Sequence, residues 1–151
     1  MRILISACLL GGKCRYDGGS KPCPAAMKLA REHEVVPVCP EQLGGLPTPR
    51  LPAEIRDGKV IRQDGVSVDA EYRRGAAEAA RRARLCSCER AVLKARSPSC
   101  GCGSIYDGSF SGVLIPGDGV TAALLKSQGL RVMTEEELID GEPVLPATEK
   151  A

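Results

Sequence analysis

The sequence predicts an α/β fold, a single domain with a Rossmann-like, largely parallel sheet flanked by helices. Two observations predict it. Short β-branched runs alternate along the chain with stretches of helical periodicity, and neither an internal repeat nor a second such series is visible. At 151 residues, with 43% apolar residues, the chain has the size and composition of one well-cored domain.

The elements follow in order. Arg2–Ser6 carries Ile3, Leu4 and Ile5 and reads as a short buried strand. After a Gly-rich turn, residues 24–33 read as a helix with Ala26, Met27 and Ala30 on one side. Residues 35–38 are a second β-branched run. The stretch 40–52 holds four prolines and two glycines and is expected to be a loop. Arg56-Asp57-Gly58-Lys59 sits between short apolar pieces in 53–68, a hairpin signal. The longest helix is expected over Asp69–Leu85, with Tyr72, Ala76, Ala79, Ala80 and Ala83 on one face, arginines on the other and Asp69 as N-cap. A strand at 91–95, a Gly/Ser/Cys-rich loop at 96–108 and a strand at 111–115 come next. Residues 120–128 read as a helix closed by Gly129, and 130–133 as a strand. Thr134 and Glu137 form a capping box for a last short helix.

Composition excludes several functions. With no Trp, three Tyr and one Phe, the chain lacks the aromatic surface of a single-strand nucleic-acid binder, and a net charge of +2 does not favour polyanions. No stretch approaches the ~18 apolar residues of a membrane span. Residues 1–7 are too short and wrongly flanked for an export signal, so a soluble cytoplasmic protein is expected.

The anomaly is eight cysteines against one histidine, His33. In a reducing compartment this favours metal binding or thiol chemistry over disulfides, with sulfur as the main donor. Cys8, Cys39 and Cys100 each lie just past a predicted strand, in Ser6-Ala7-Cys8-Leu9-Leu10-Gly11, Pro37-Val38-Cys39-Pro40-Glu41 and Ser97-Pro98-Ser99-Cys100-Gly101. Open α/β sheets bind ligands at the carboxyl ends of their strands, so these thiols should converge. Structural zinc favours C-x-x-C pairs, and none occurs. Cys86 and Cys88, if helical, would not share a face. Cys23 suits a packed helix start, and Cys14 lies close enough to Cys8 to reach the same site. A cubane cluster on three thiolates keeps one iron open as a Lewis acid for a soft sulfur ligand. Glu41, two residues past Cys39, and Ser97, three before Cys100, are candidates to act beside that iron. Their plain readings are a solvated loop carboxylate and a turn serine.

These blocks resemble the thiouracil desulfidase family. The resemblance runs through Cys14-Arg15-Tyr16-Asp17-Gly18, Gly44-Gly45-Leu46-Pro47-Thr48-Pro49-Arg50, Lys94-Ala95-Arg96, Ser104-Ile105-Tyr106-Asp107-Gly108 and Gly117-Asp118-Gly119-Val120-Thr121-Ala122, nearly the whole chain. It implies a [4Fe-4S] cluster on Cys8, Cys39 and Cys100, Glu41 and Ser97 as the catalytic pair, and Cys14 beside the ligands. Cys23, Cys86, Cys88 and Cys102 match no family requirement and are the main departure. Residues 1–140 are then the cluster-binding desulfidase domain and 141–151 a loose tail. The implied reaction is non-redox replacement of sulfur by oxygen on thiouracil or thiouridine monophosphate, with release of sulfide. The implied partner is a small thiolated pyrimidine, not a nucleic-acid polymer or a membrane. Read from their positions alone, Arg15, Arg50, Lys94 and Arg96 lie in or beside the site loops and are candidates to hold a substrate phosphate, although loop arginines are mostly solvated. A sulfurtransferase with the same cluster, or a zinc or thiol redox protein, are the competing expectations.

Overall fold

Apolar runs too short to span a helix pair as a four-stranded parallel sheet in a computed structural model that describes residues 2–139. The elements are β1 (Arg2–Ser6), α1 (Pro24–Glu32), β2 (Glu34–Val38), α2 (Pro40–Leu43), β3 (Ala53–Arg56), β4 (Lys59–Arg62) and α3 (Asp69–Leu85). They continue with β5 (Cys88–Leu93), β6 (Ser104–Tyr106), β7 (Leu114–Pro116), α4 (Val120–Ser127), β8 (Arg131–Thr134) and α5 (Glu135–Ile139). The sheet order is β2-β1-β5-β8, and β3-β4 and β6-β7 are separate antiparallel hairpins. The expected loose tail lies outside the described residues.

Both faces of the sheet are covered, so the buried stretches of its inner strands, Ile3-Leu4-Ile5 and Ala91-Val92-Leu93, are apolar. Ile3 and Ile5 of β1, Val92 of β5 and Met133 of β8 pack on one side with Ala26 and Leu29 of α1. Leu4, Ala91 and Leu93 pack on the other with Ala80 and Ala83 of α3 and Ala122 and Leu125 of α4. The chain runs from β1 to β2 on one side and returns to place β5 on the other. The strand order therefore reverses between β1 and β5, which opens a crevice at their carboxyl ends.

Several expectations need correction. Residues 40–43 form a helical turn, because Pro40 at its first position needs no N–H partner and its fixed φ suits a helix start. Met27 points outward and is 39% exposed, while Leu29 takes the core position. The helix expected at 69–85 is there, but Val68 is its N-cap. Asp69 instead accepts the Val60 N–H at 3.0 Å, tying the helix to the first hairpin. The strand expected at 91–95 begins at Cys88 and ends at Leu93, because the next amide, of Lys94, donates to Ser6 Oγ at 2.9 Å. The loop at 96–108 contains β6, and the strand placed at 111–115 is β7, Leu114–Pro116. Residues 57 and 58 turn the first hairpin with φ of 51° and 78°, the left-handed pair that Asp-Gly supplies. Thr134 N–H donates to Glu137 Oε1 at 3.1 Å, the reciprocal half of the expected capping box.

One glycine pair sets the position of α2. A Cβ on Gly75 would lie 1.8 Å from the Pro40 carbonyl oxygen, and one on Gly44 would lie 2.0 Å from that of Glu71. Glycine is unfavourable inside a helix by about 1 kcal/mol, yet only glycine lets α3 touch the backbone of α2. Gly75→Ala is expected to destabilise the fold by about 1–3 kcal/mol, the scale of overpacking, despite its better helix propensity. Denaturant unfolding measures this, and an unchanged or raised stability would show that the contact does not constrain α2.

Candidate functional site

Three strand ends deliver three thiols to the crevice. After β1 the chain tightens into a 3-10 turn over Ala7–Leu10, which Gly11 ends at φ 98°, and Cys8 is buried within it. After β2, Cys39 is the N-cap of α2. After β5, Cys100 lies on a loop tied to the start of α4. There the Val120, Thr121 and Ala122 amides donate to the Pro98 and Ser99 carbonyls at 2.8–3.2 Å, which satisfies orphan donors of the helix. Cys8, Cys39, Cys100, Glu41 and Ser97 all line one cavity of about 470 Å³.

Cys14 lines it too, so the structure brings a fourth thiol to the expected trio. Its side chain contacts those of both Cys39 and Cys8. Its carbonyl accepts the Cys39 thiol at 3.7 Å and Arg50 Nη2 at 2.8 Å. The remaining cysteines are elsewhere. Cys23 is the N-cap of α1 and packs in the core. Cys86 ends α3 and Cys88 begins β5, at the end of the sheet away from the cavity. Cys102 donates to the Val132 carbonyl at 3.7 Å.

Electrostatics keep the Cys14, Cys39 and Cys100 thiols protonated when nothing cationic is bound. Burial pushes the Cys100 thiol up to about 12, against the hydrogen bond from Ser6 Oγ at 3.5 Å, which favours the thiolate. Contact with Cys14 and then burial raise Cys39. For Cys14 the contact with Cys39 acts downward, but Cys8 and burial outweigh it. Several thiolates crowded in a low-dielectric cavity repel one another. A group carrying positive charge reverses that balance, as metal centres do for their thiolate ligands. The donors suit a cluster better than a single ion. Among the described residues no three Cys, His, Asp or Glu side chains converge tightly enough to hold one ion. Cubane irons are spread out, and so are their thiolates.

Glu41 is not a solvated loop carboxylate. Arg50 Nε and Nη2 both meet its Oε1 at 2.8 Å, with the Arg50 side chain 6% exposed. Arg50 is itself fixed by the Pro47 carbonyl at 3.0 Å and Thr48 Oγ1 at 2.9 Å. Tyr72 of α3 faces Glu41 and is held neutral by burial and by that negative charge. Ser97 Oγ accepts the Ser99 and Cys100 amides, each at 3.0 Å, which shapes the Cys100 loop and leaves its O–H to donate. Arg50 is thus an internal partner of Glu41 rather than a free phosphate cation. Lys94 and Arg96 also face carboxylates, Glu135 at 3.2 Å and Glu136 at 2.5 Å. Arg15 has its nearest carboxylate, Asp17, at 4.0 Å.

Tyr72 and Ser6 were not read as site residues. Tyr72 looks like one more core position on an amphipathic helix. Ser6 carried a weak signal, as the polar end of an apolar strand that is 3% exposed.

Comparison with known proteins shows the family of the chain and relatives of the same fold. Residues 3–137 match the model of a family described as 2-thiouracil desulfurase. The uncharacterized protein YbbK of Bacillus subtilis (strain 168) is 45% identical over 148 residues, covering 91% of this chain and 98% of its own. The solved structure of a [4Fe-4S]-dependent thiouracil desulfidase, TudS, superposes with a TM-score of 0.86 at 44% identity, over 92% of this chain and 93% of that one.

Proposed function

The chain belongs to the 2-thiouracil desulfurase family, and we propose that it is an enzyme converting a thiolated pyrimidine to its oxo form on a [4Fe-4S] cluster held by Cys8, Cys39 and Cys100. The observation that carries this reading is the meeting of three strand-end thiols, two buried and one half-buried, with an ion-paired glutamate in one cavity. When bound, the cluster supplies an iron with no protein ligand, a Lewis acid suited to thiocarbonyl sulfur.

The chain's own residues do the rest. Ser6 Oγ donates toward Cys100 Sγ, which stabilises that sulfur as a ligand. Arg50 holds Glu41 as an oriented carboxylate, and with two Arg50 nitrogens on Oε1 the other oxygen is left to accept a proton from water. That water adds to the ring carbon, the C–S bond breaks, and sulfur leaves as sulfide. Carbon keeps its oxidation state, so no electron donor is required. Ser97 donates its O–H to the substrate or passes the proton onward. Cys14, touching two of the ligands, shapes the cavity beside them without binding iron. A reducing cytoplasm suits a chain whose eight cysteines are all free thiols. Among the described residues no helix is long and apolar enough to cross a membrane.

Anaerobic reconstitution followed by incubation with 2-thiouracil, and separately with a thiolated uridine 5′-monophosphate, tests the proposal. Sulfide and the oxo pyrimidine should appear in equal amounts without an added sulfur acceptor. Sulfide that appears only with an acceptor would identify a sulfurtransferase, and no product from either compound would remove the desulfidase reading. The faster of the two substrates identifies whether free base or nucleotide is preferred.

A further inference from the structure

The chain has only four Tyr and Phe side chains and no Trp, and all four line this one cavity. Chance placement in a chain so poor in aromatics would scatter them through the core. Two have visible duties: Tyr72 is buried against Glu41, and Tyr16 lies beside the Arg15 guanidinium. Tyr106 ends β6, and Phe110 stands on the loop between β6 and β7.

Phe110 is unusual in its backbone. Its φ is 58°, the left-handed region that a bulky side chain normally avoids. The conformation is held from the neighbouring hairpin. Glu54 Oε1 accepts the amides of Gly108 at 3.0 Å and Phe110 at 3.1 Å. Arg56 Nε and Nη2 grip the Gly108 carbonyl at 3.1 and 2.7 Å. Core packing does not explain this arrangement, since Phe110 belongs to none of the three apolar clusters among the described residues. Strain maintained by four hydrogen bonds, with no core burial in return, points to a side chain positioned for a ligand.

We propose that Phe110 is the stacking platform for the flat ring of the substrate and the residue that selects a heteroaromatic thiocarbonyl over an acyclic one. Glu54 is the positioning residue that fixes Phe110 through the loop backbone. This rests on the desulfidase reading for the identity of the ring, but the geometry of the platform does not depend on turnover.

Calorimetric binding of uracil to the cluster-loaded protein tests it, because uracil presents the same ring face without reacting. Phe110→Ala is expected to weaken uracil binding about tenfold or more, the usual effect of removing a base-stacking aromatic. Phe110→Tyr should bind as the wild type does. Phe110→Leu retains apolar bulk without a π face and should resemble Phe110→Ala. Glu54→Ala, which frees the loop, should weaken binding in the same direction. In turnover of thiouracil Phe110→Ala, Phe110→Leu and Glu54→Ala should raise KM with kcat little changed, and Phe110→Tyr should restore the wild-type KM. Wild-type affinity in Phe110→Leu, or no uracil binding by the wild type, overturns the proposal. Phe110-dependent uracil binding by a protein that releases no sulfide from thiouracil would instead sink the desulfidase reading and leave the platform standing.

Discussion

A Cys39→Ala chain, reconstituted without air from iron and sulfide, is expected to hold no stable [4Fe-4S] cluster and to release no sulfide from thiouracil. Cys39 occupies the end of β2, where the extended backbone of the N-cap and the rigid Pro40 restrict where its sulfur can go. Loss of one of three thiolates leaves two irons of a cubane without protein ligands, which should cost the whole assembly rather than a fraction of it. Cys8→Ala and Cys100→Ala should behave alike, for the same reason. Cys86→Ala is the control, since Cys86 lies at the far end of the sheet and should reconstitute normally. Iron and sulfide analysis with the visible absorbance of the cluster reads the result. The demanding case is Cys14, which touches both Cys8 and Cys39. Four irons and normal turnover in Cys39→Ala, lost again in the Cys14/Cys39 double variant, would make Cys14 an iron ligand and remove Cys39 from the assigned trio.

Glu41→Gln is expected to retain the cluster and lose about 10²-fold or more in kcat, the scale of a missing general base. The substitution keeps the shape of the side chain and an oxygen that can accept from Arg50, so orientation is largely preserved. What it removes is the ability to take a proton from water. It also leaves Arg50, 6% exposed at its side chain, without a carboxylate partner, so some loss of stability is expected as well. Thermal unfolding and cluster content separate the two effects. Near-normal kcat at full cluster occupancy would leave Glu41 as a structural partner of Arg50 alone.

Much of the fold was legible because its signals are local. A run such as Ile3-Leu4-Ile5 identifies a doubly covered strand, and the alanine face of Asp69–Leu85 identifies a packed helix, without knowledge of partners. The convergence of Cys8, Cys39 and Cys100 was legible at one remove. Each follows a parallel strand, and parallel strands put their carboxyl ends on one edge. Where the reading failed, neighbours decided. Proline content suggested a loop at 40–52, yet the glycine gap on α3 accepts a helical turn there. The strand expected at 91–95 was misplaced because Ser6, distant in sequence, takes the next amide.

By itself, then, the sequence determined the α/β class, the order of the elements, and the three cysteines that follow parallel strands. Backbone preference and hydrophobic period are properties of a few consecutive residues, so they can be read without coordinates. Only the tertiary structure decided that Arg50 pairs with Glu41, that Cys14 joins the thiols, and that four scattered aromatics share one cavity. Those outcomes depend on side chains from separate elements meeting at a few ångströms. That distance is set by how the hairpins and α3 pack over the sheet, and no local pattern in the chain records it.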